Sequence, residues 1–197
     1  MKILRAGPAS APNTLILLHG RGATAESILP LYQELTLGPE WRALAPQAPG
    51  NSWYPHSFLA PLEENQPYLE QSLQTVHSVI GDLTSERVAI LGFSQGACLA
   101  LEYAARHPRR YAAVLALTGG LIRLRQQGDL KGTPFFLGSG DPDPHVPFRR
   151  VEESALSLRG LGARVETRRY PGMPHTINHD QLNHCRALLS APKGTLK

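Results

Sequence analysis

The sequence lacks a long apolar run. No window approaches the roughly 18 uninterrupted apolar residues that a membrane-spanning helix requires. The opening stretch "MKILRAGPASAPNT" has an apolar run too short for a signal peptide, and proline interrupts it. We therefore expect a protein without a membrane span that resides in the cytoplasm.

Cysteine is also scarce. The chain has two, Cys98 and Cys185, and they form no metal-ligand or redox motif. Intracellular thiols are normally reduced, so we expect two buried core residues and no disulfide. The sequence accordingly predicts no metal and no cofactor.

A concentrated charge of one sign is absent as well. The formal net charge is +4, from 20 Lys and Arg against 16 Asp and Glu. The basic residues fall as scattered pairs, such as Arg109-Arg110 and Arg168-Arg169, rather than as one stripe. Because no nucleic-acid motif accompanies them, we interpret them as solvated surface and expect no nucleic-acid partner.

What the chain does contain is an alternation of short apolar runs and amphipathic stretches. At 197 residues, with 42% hydrophobic and 18% charged residues, it is long enough for one domain, residues 1–197, with a sizeable core. The alternation predicts an α/β fold with a mostly parallel sheet and helices on both faces. The predicted strands are Thr14–Leu18, Trp41–Ala45, Arg87–Leu91, Ala112–Leu117, Thr133–Leu137 and Arg164–Tyr170. Helices are predicted at Ala25–Leu37, around Leu69 to Ile80, after Ser94, around Phe148 to Leu158, and at Asn178–Leu189.

One short segment carries a candidate nucleophile. In "RVAILGFSQGACLA" a hydrophobic strand stops at Gly92, and a lone serine, Ser94, stands before Gly96 and a predicted helix. Gly92 to Gly96 fit G-x-S-x-G, the pattern of a nucleophile elbow, in which a serine is held on a sharp strand-to-helix turn. The alternative is an ordinary loop, since glycine and serine are common in turns.

A nucleophilic serine needs a histidine base, and in this arrangement the histidine follows the serine in the chain. His107 precedes a proline at a helix end and is typical of a C-terminal cap. His175 lies in the loop "PGMPHTINH", directly after the last predicted strand. We predict His175 as the base, with His179 as its main rival.

An acidic residue should orient that base. The strand Thr133–Leu137 runs into "GSGDPDPHVP", which places both Asp141 and Asp143 at its carboxyl end. Spacing alone does not choose between them, because one can orient the imidazole while the other shapes the turn.

Two backbone N–H groups are expected to form an oxyanion hole. One belongs to Gln95, the residue after the serine, and we expect Gln95 to contribute only this N–H. The other is assigned to Arg21 in "TLILLHGRGAT", where an apolar strand ends in a glycine-rich turn. The common order of this turn, Ser94, the aspartates and His175 favours a catalytic function over a loop.

At this point the sequence resembles the phospholipase/carboxylesterase family of α/β-hydrolases, which includes bacterial carboxylesterases and acyl-protein thioesterases. The likeness is carried by "LLHGRGAT", "SWYP", "LGFSQGA", "GSGDPDPHVP" and "YPGMPH". The resemblance implies an α/β-hydrolase fold, with Ser94 as nucleophile and His175 as base. Its pattern G-D-x-D-P-x-V-P implies that the second aspartate, Asp143, is catalytic and that Asp141 is structural.

The resemblance also bears on the substrate side of the site. It implies that the N–H groups of Arg21 and Gln95 are the oxyanion donors. It also implies that Trp53, in the "SWYP" segment near the acyl pocket, is a candidate substrate-binding residue of that pocket. Many thioesterase relatives have leucine where this chain has Arg21. A backbone donor should tolerate that change, but a large cation at the mouth is expected to alter which substrates enter.

The resulting hypothesis is hydrolysis of a small-molecule carboxylic ester through an acyl-serine. The stretch "TGGLIRLRQQGDL" is too short for a large helical lid, so we expect an open site for short-to-medium acyl chains. The alternatives are a thioesterase or lysophospholipase, an acyltransferase or lyase, and a binding protein that kept the fold without its activity. The sequence leaves a homodimer open.

Overall fold

The computed structural model describes residues 1–191 of the chain, and residues 192–197 of the predicted domain lie outside that description. Within the described part, one sheet holds the strands in the order β1-β3-β2-β4-β5-β6-β7. Only β1 runs antiparallel to its neighbour, and every other pairing is parallel. The strands are β1 Ile3–Ala6, β2 Asn13–Leu18, β3 Trp41–Pro46, β4 Val88–Phe93, β5 Ala113–Leu117, β6 Pro134–Asp141 and β7 Arg164–Pro171.

Helices cover both faces of this sheet, as predicted. They are α1 Ala25–Ile28, α2 Leu31–Glu34, α3 Tyr68–Ile80, α4 Gln95–Arg106, α5 Phe148–Gly160 and α6 His179–Ser190. Short 3-10 turns occur at Pro49–Asn51, Leu62–Asn65 and Ser85–Arg87. One core joins α3, α4 and α5 to the sheet, and a second core joins α1, α2 and α6 to the opposite face.

The central strand β4 shows why the apolar runs are continuous. Its residues alternate between the two cores, with Val88 and Ile90 in one and Ala89 and Leu91 in the other. A strand covered on both faces must be apolar at every position, because successive side chains point to opposite faces. The prediction of a parallel α/β sheet rested on this property.

The predicted helix Ala25–Leu37 is wrong in its extent. Two four-residue helices, α1 and α2, occupy that stretch. Pro30 separates them, since proline has no N–H to donate to the preceding turn. The start is well specified, because the Thr24 side chain accepts from the N–H of Ser27 in a capping box.

The edge strand β1 was not predicted. Its four residues pair antiparallel with β3, from Ile3 opposite Pro46 to Ala6 opposite Ala43. The sequence "ILRA" is short, has no clear alternation and is only partly buried, so no period marks it.

Among residues 1–191, no helix is long and apolar enough to cross a membrane.

The register of the parallel strands brings several strand ends together. Leu18 of β2 lies opposite Gly92 of β4, and Phe93 of β4 lies opposite Leu117 of β5. Further along the same edge, Asp141 at the end of β6 lies opposite Pro171 at the end of β7. Ligands of open α/β sheets bind beyond such carboxyl ends, so the loops that follow β2, β4, β6 and β7 form the candidate site.

Candidate active site

Ser94 sits on the sharp turn between β4 and α4. Its backbone has φ 54° and ψ −117°, a conformation that side-chain-bearing residues rarely adopt. The turn is held by its N–H, which donates to the Leu117 carbonyl at 3.0 Å, and by its carbonyl, which accepts from the Cys98 N–H at 3.0 Å. The local structure has the geometry of a nucleophile elbow.

The two glycines of the motif permit this turn. A Cβ placed on Gly92 would lie 2.2 Å from the Gly96 carbonyl oxygen, and one on Gly96 would lie 2.1 Å from the Leu18 carbonyl oxygen. Both contacts are with backbone, which cannot move aside without displacing β2 or α4. The glycines therefore allow the helix to turn back tightly against the strands.

Ser94, His175 and Asp143 are connected by two hydrogen bonds. His175 Nε2 lies 2.8 Å from Ser94 Oγ, and His175 Nδ1 lies 2.7 Å from Asp143 Oδ2. An ionised carboxylate only accepts, so Nδ1 carries the hydrogen and Nε2 is free to accept from the serine hydroxyl. Such an arrangement can remove a proton from the hydroxyl while the carboxylate stabilises the resulting imidazolium.

Asp143 is held as a carboxylate by the chain around it. Its side chain is fully shielded from solvent, and Oδ1 accepts the N–H groups of His145 and Val146, both at 2.8 Å. Burial alone would raise its pKa, but the hydrogen bonds from His175 and from the two N–H groups outweigh burial. The net result is a pKa below the ordinary value.

The other candidates from the sequence lie elsewhere. Asp141 Oδ2 accepts from Arg169 Nε at 3.0 Å on the neighbouring strand β7, and the carboxylate that contacts His175 is that of Asp143. His179 is the first residue of α6, and within the described residues no hydrogen bond joins it to Ser94. His107 caps the C-terminal end of α4, as predicted.

The glycine-rich turn after β2 packs against the elbow. A Cβ on Gly20 would lie 3.5 Å from the Ser94 Cβ, so this turn is in contact with the serine. Within residues 1–191, no acceptor takes the backbone N–H of Arg21 or of Gln95. Both donors are thus available, which an oxyanion hole requires.

His19 fixes that turn, although the sequence offered no role for it. The ring is fully buried, and burial lowers its pKa. Nε2 accepts from the Ala48 N–H at 3.1 Å, which leaves Nδ1 to donate to the Gly20 carbonyl at 2.8 Å. A neutral imidazole therefore ties the loop after β2 to the loop after β3.

The expectation that Gln95 contributes only its backbone was wrong. Its side-chain Oε1 accepts from the Trp53 N–H at 2.9 Å, and its Nε2 donates to the Tyr54 carbonyl at 2.7 Å. Ser52 Oγ lies 3.3 Å from the same Nε2. The buried amide joins the elbow to the "SWYP" segment, a long-range pairing that neither motif shows by itself.

Trp53 does not line the pocket, contrary to the prediction. Its side chain is 1% exposed, and its indole N–H donates to the His19 carbonyl at 2.8 Å. The next residue, Tyr54, takes the predicted place in the wall. Trp53 therefore supports the turn after β2 from behind.

A cavity of about 710 Å³ opens beside Ser94. Its lining consists of residues Arg21, Tyr54, Pro55, His56, Ser57, Phe58, Leu59, Ser94, Gln95, Cys98, Pro144, His145, Val146, Pro147 and His175. Sequence reasoning missed His145, whose ring stands edge-on to His175 with the centroids 4.9 Å apart. The signal was present in "DPHVP", next to the predicted acid.

Cys98 also lies in this lining but is a poor second nucleophile. Burial raises the pKa of its thiol to about 12, so the reactive thiolate is scarce at neutral pH. Its Sγ accepts from the Gly120 N–H at 3.5 Å. Both cysteines are buried free thiols, as predicted.

Comparisons with known proteins identify the family of the chain. The family model described as Phospholipase/Carboxylesterase matches residues 4–191. The chain belongs to the phospholipase/carboxylesterase family. It is a hydrolase of this family and has the α/β-hydrolase fold.

A solved phospholipase/carboxylesterase from Dyadobacter fermentans is 42% identical to this chain. The alignment covers 95% of each chain, with a TM-score of 0.91. A probable carboxylesterase, SOBER1-like, from Arabidopsis thaliana is 28% identical over 94% of this chain and 81% of its own length. Acyl-protein thioesterase 1 of Gibberella zeae is 29% identical over 64% of this chain, and the chain spans about half of that relative (55%).

Proposed function

We propose that this protein hydrolyses carboxylic esters through an acyl intermediate on Ser94. The observation that carries the proposal is the continuous chain of short hydrogen bonds from Asp143 Oδ2 through His175 to Ser94 Oγ. It supplies a nucleophile, a base and an orienting acid on three strand ends of one sheet.

In the proposed first step, His175 Nε2 takes the proton of Ser94 as Oγ attacks the ester carbonyl. Asp143 keeps the imidazole in the accepting tautomer and stabilises its cation. The N–H groups of Arg21 and Gln95 bind the oxyanion, where one donor contributes about 3 kcal/mol to lowering the barrier. As the tetrahedral intermediate collapses, the bond from the carbonyl carbon to the alcohol oxygen breaks, His175 gives its proton to that oxygen, and the acyl group stays on Ser94.

In the second step, water attacks the acyl-serine. His175 accepts a proton from the water. Collapse of the second oxyanion breaks the bond to Ser94 Oγ and releases the acid, and His175 returns the proton to Oγ. The residues of this cycle require no metal or cofactor.

The proposed substrates are small esters with short-to-medium acyl chains. A cavity of about 710 Å³ lies in the range usual for small-molecule sites. Residues 118–130, the candidate lid segment, form no helix or strand. The segment is held against α4 and α5 instead, because Glu102 accepts from the Arg123 N–H and Arg150 donates to the Leu121 carbonyl.

A thioesterase is the second candidate, favoured by relatives named acyl-protein thioesterase. The same residues can cleave a thioester, since the thiolate leaves more readily than an alkoxide. We also propose a cytoplasmic location, which suits two free thiols.

Labelling with a fluorophosphonate probe tests the nucleophile. We expect one label, mapped to the peptide that contains Ser94 and absent in Ser94→Ala. Ser139→Ala is the matched control, because Ser139 is a buried serine of β6 outside the cavity lining, and we expect it to label like the native chain. Labelling that persists in Ser94→Ala would overturn the assignment.

A panel of 4-nitrophenyl esters from acetate to decanoate tests the substrate range. We expect kcat/KM to peak at short-to-medium chains, and a matched acyl thioester separates the two candidates. A flat or absent response across the panel would contradict the proposal.

A further inference from the structure

Arg21 carries the formal charge in the lining of the cavity beside Ser94. Within the described residues, that lining contains no Asp, Glu or Lys and no second Arg. The Asp143 carboxylate lies on the far side of the His175 ring from Ser94, and both of its oxygens already accept hydrogen bonds. A substrate in this cavity therefore meets positive charge without a competing anion in the wall.

Arg21 is held in place by uncharged acceptors. Its Nη1 donates to the Pro55 carbonyl and to Ser52 Oγ, and its Nη2 donates to the His56 carbonyl. The guanidinium also lies over the Tyr54 ring, 5.9 Å from the centroid. These contacts fix the side chain but leave its charge unneutralised.

Part of the guanidinium remains free to bind a ligand. Within residues 1–191, no acceptor takes the Nε–H or one of the two Nη2–H groups. Nε and Nη2 share one edge of the planar guanidinium, and that edge matches the paired oxygens of a carboxylate or a phosphate. Since Arg21 is already ordered, binding an anion costs little additional side-chain entropy.

We propose that Arg21 makes this enzyme selective for esters that carry a second, anionic group, a carboxylate or a phosphate. The inference rests on the proposed ester hydrolysis at Ser94 and specifies its substrate class. Arg21 would thus have two separate functions, with its backbone N–H facing the oxyanion and its side chain binding the charge.

Matched substrate pairs test the selectivity in the native chain. On the acyl side, mono-4-nitrophenyl glutarate is compared with its methyl ester. On the alcohol side, 4-acetoxybenzoate and 4-acetoxyphenyl phosphate are compared with methyl 4-acetoxybenzoate, which separates carboxylate from phosphate. We expect kcat/KM for at least one anionic ester to exceed that of its neutral partner by about fivefold, the value of a partly exposed charge pair of about 1 kcal/mol.

The variants Arg21→Gln and Arg21→Lys assign the effect to the guanidinium. The readout is the ratio of anionic to neutral kcat/KM, because a change at the oxyanion hole affects both esters alike. We expect Arg21→Gln to abolish the preference and Arg21→Lys to keep part of it. A preference that survives intact in Arg21→Gln would overturn the role of Arg21.

Ionic strength gives a test that needs no variant. Raising the salt concentration should lower kcat/KM for the preferred anionic ester and leave that of its neutral partner unchanged, because salt screens exposed charges. Equal rates for both members of every pair, at low salt, would overturn the inference while the ester hydrolysis itself stands. Failure to cleave any of the esters would instead contradict the proposed function.

Discussion

Among residues 1–191, two histidines contact carboxylates, and a comparison of the two shows what makes one of them suitable as a base. His175 has Asp143 on Nδ1 and the Ser94 hydroxyl on Nε2. His184 has Glu166 on Nδ1 at 3.2 Å and Asp180 on Nε2 at 3.4 Å. Carboxylates only accept, so His184 has no nitrogen directed at a group that could give up a proton.

Burial separates the two groups further. The Asp143 side chain is fully shielded, whereas the side chains of Glu166 and Asp180 are 41% and 57% exposed. Water and salt weaken exposed ion pairs, and a shielded charge-assisted hydrogen bond is stronger. Histidine and carboxylate side chains therefore form a candidate catalytic group at the strand ends and a partly exposed cluster between β7 and α6.

We expect the largest difference in activity between variants of the two histidines, His175 and His184. We expect His175→Ala to lower kcat/KM for 4-nitrophenyl butyrate on the order of 10⁴-fold or more, as loss of a triad member does in other serine hydrolases. His184→Ala should stay within about twofold of the native value. Similar losses in both variants would show that the activity does not depend on the contact with Ser94.

The next largest difference in activity is expected between variants of the two aspartates, Asp143 and Asp180. We expect Asp143→Asn to lower kcat/KM on the order of 10³- to 10⁴-fold, because an amide can donate to Nδ1 and so stabilise the wrong tautomer. Asp180→Asn is the control. In the native chain the Tyr170 hydroxyl donates to Asp180 Oδ2 at 2.8 Å, and the amide oxygen of the asparagine can still accept that hydrogen bond. Full activity in Asp143→Asn would exclude Asp143 as the orienting acid.

The contribution of the Asp143 carboxylate to the free energy of unfolding should depend on pH in the acid range. The pKa of Asp143 is lower in the folded chain than its ordinary value of 3.8. Its stabilising contribution is therefore present above about pH 4 and is lost as the pH falls through the folded pKa. Urea unfolding at a series of pH values should show a smaller acid loss in Asp143→Asn than in the native chain.

The control for that series is Asp180→Asn, which keeps Asp143. We expect its free energy of unfolding to fall with acid as steeply as that of the native chain. Parallel pH curves for the native chain and Asp143→Asn would contradict the lowered pKa of Asp143.

The smallest effect is expected in the exposed cluster. Glu166→Gln removes the ion pair of Glu166 with Arg168 and the contact of its carboxylate with His184. We expect the free energy of unfolding to change by less than about 1 kcal/mol, because exposed pairs contribute little. A loss of several kcal/mol in urea unfolding would mean that the two histidine groups differ less than their burial indicates.

The fold could be predicted from sequence wherever burial imposes a period. Strands β2 and β4 to β6 lie where the apolar runs predicted them, because strands covered on both faces are largely apolar. The edge strand β7 also lies where it was predicted, although its sequence "RVETRRYP" is charged and only partly buried. The edge strand β1 has no such requirement, and its position depends on pairing with β3, some 40 residues further along the chain. The break at Pro30 was visible in the sequence but was outweighed by the apolar periodicity around it.

In the candidate site, too, local features could be predicted from the sequence and long-range contacts could not. Local backbone chemistry marks Ser94, since only glycines fit at Gly92 and Gly96. The side-chain functions of Gln95 and His19 were not predictable, because each connects loops more than 25 residues apart. The spacing of Asp141 and Asp143 left both open, and it is the packing of the loop after β6 that directs Asp143 to His175.

The most direct test of the account is to trap the acyl group. The native chain is mixed with 4-nitrophenyl butyrate, quenched in acid within the first turnover, digested and analysed by mass spectrometry. We predict a butyryl group on the peptide that contains Ser94, and neither adduct nor turnover in Ser94→Ala. A butyryl group on another residue, or turnover that survives in Ser94→Ala, would contradict the account.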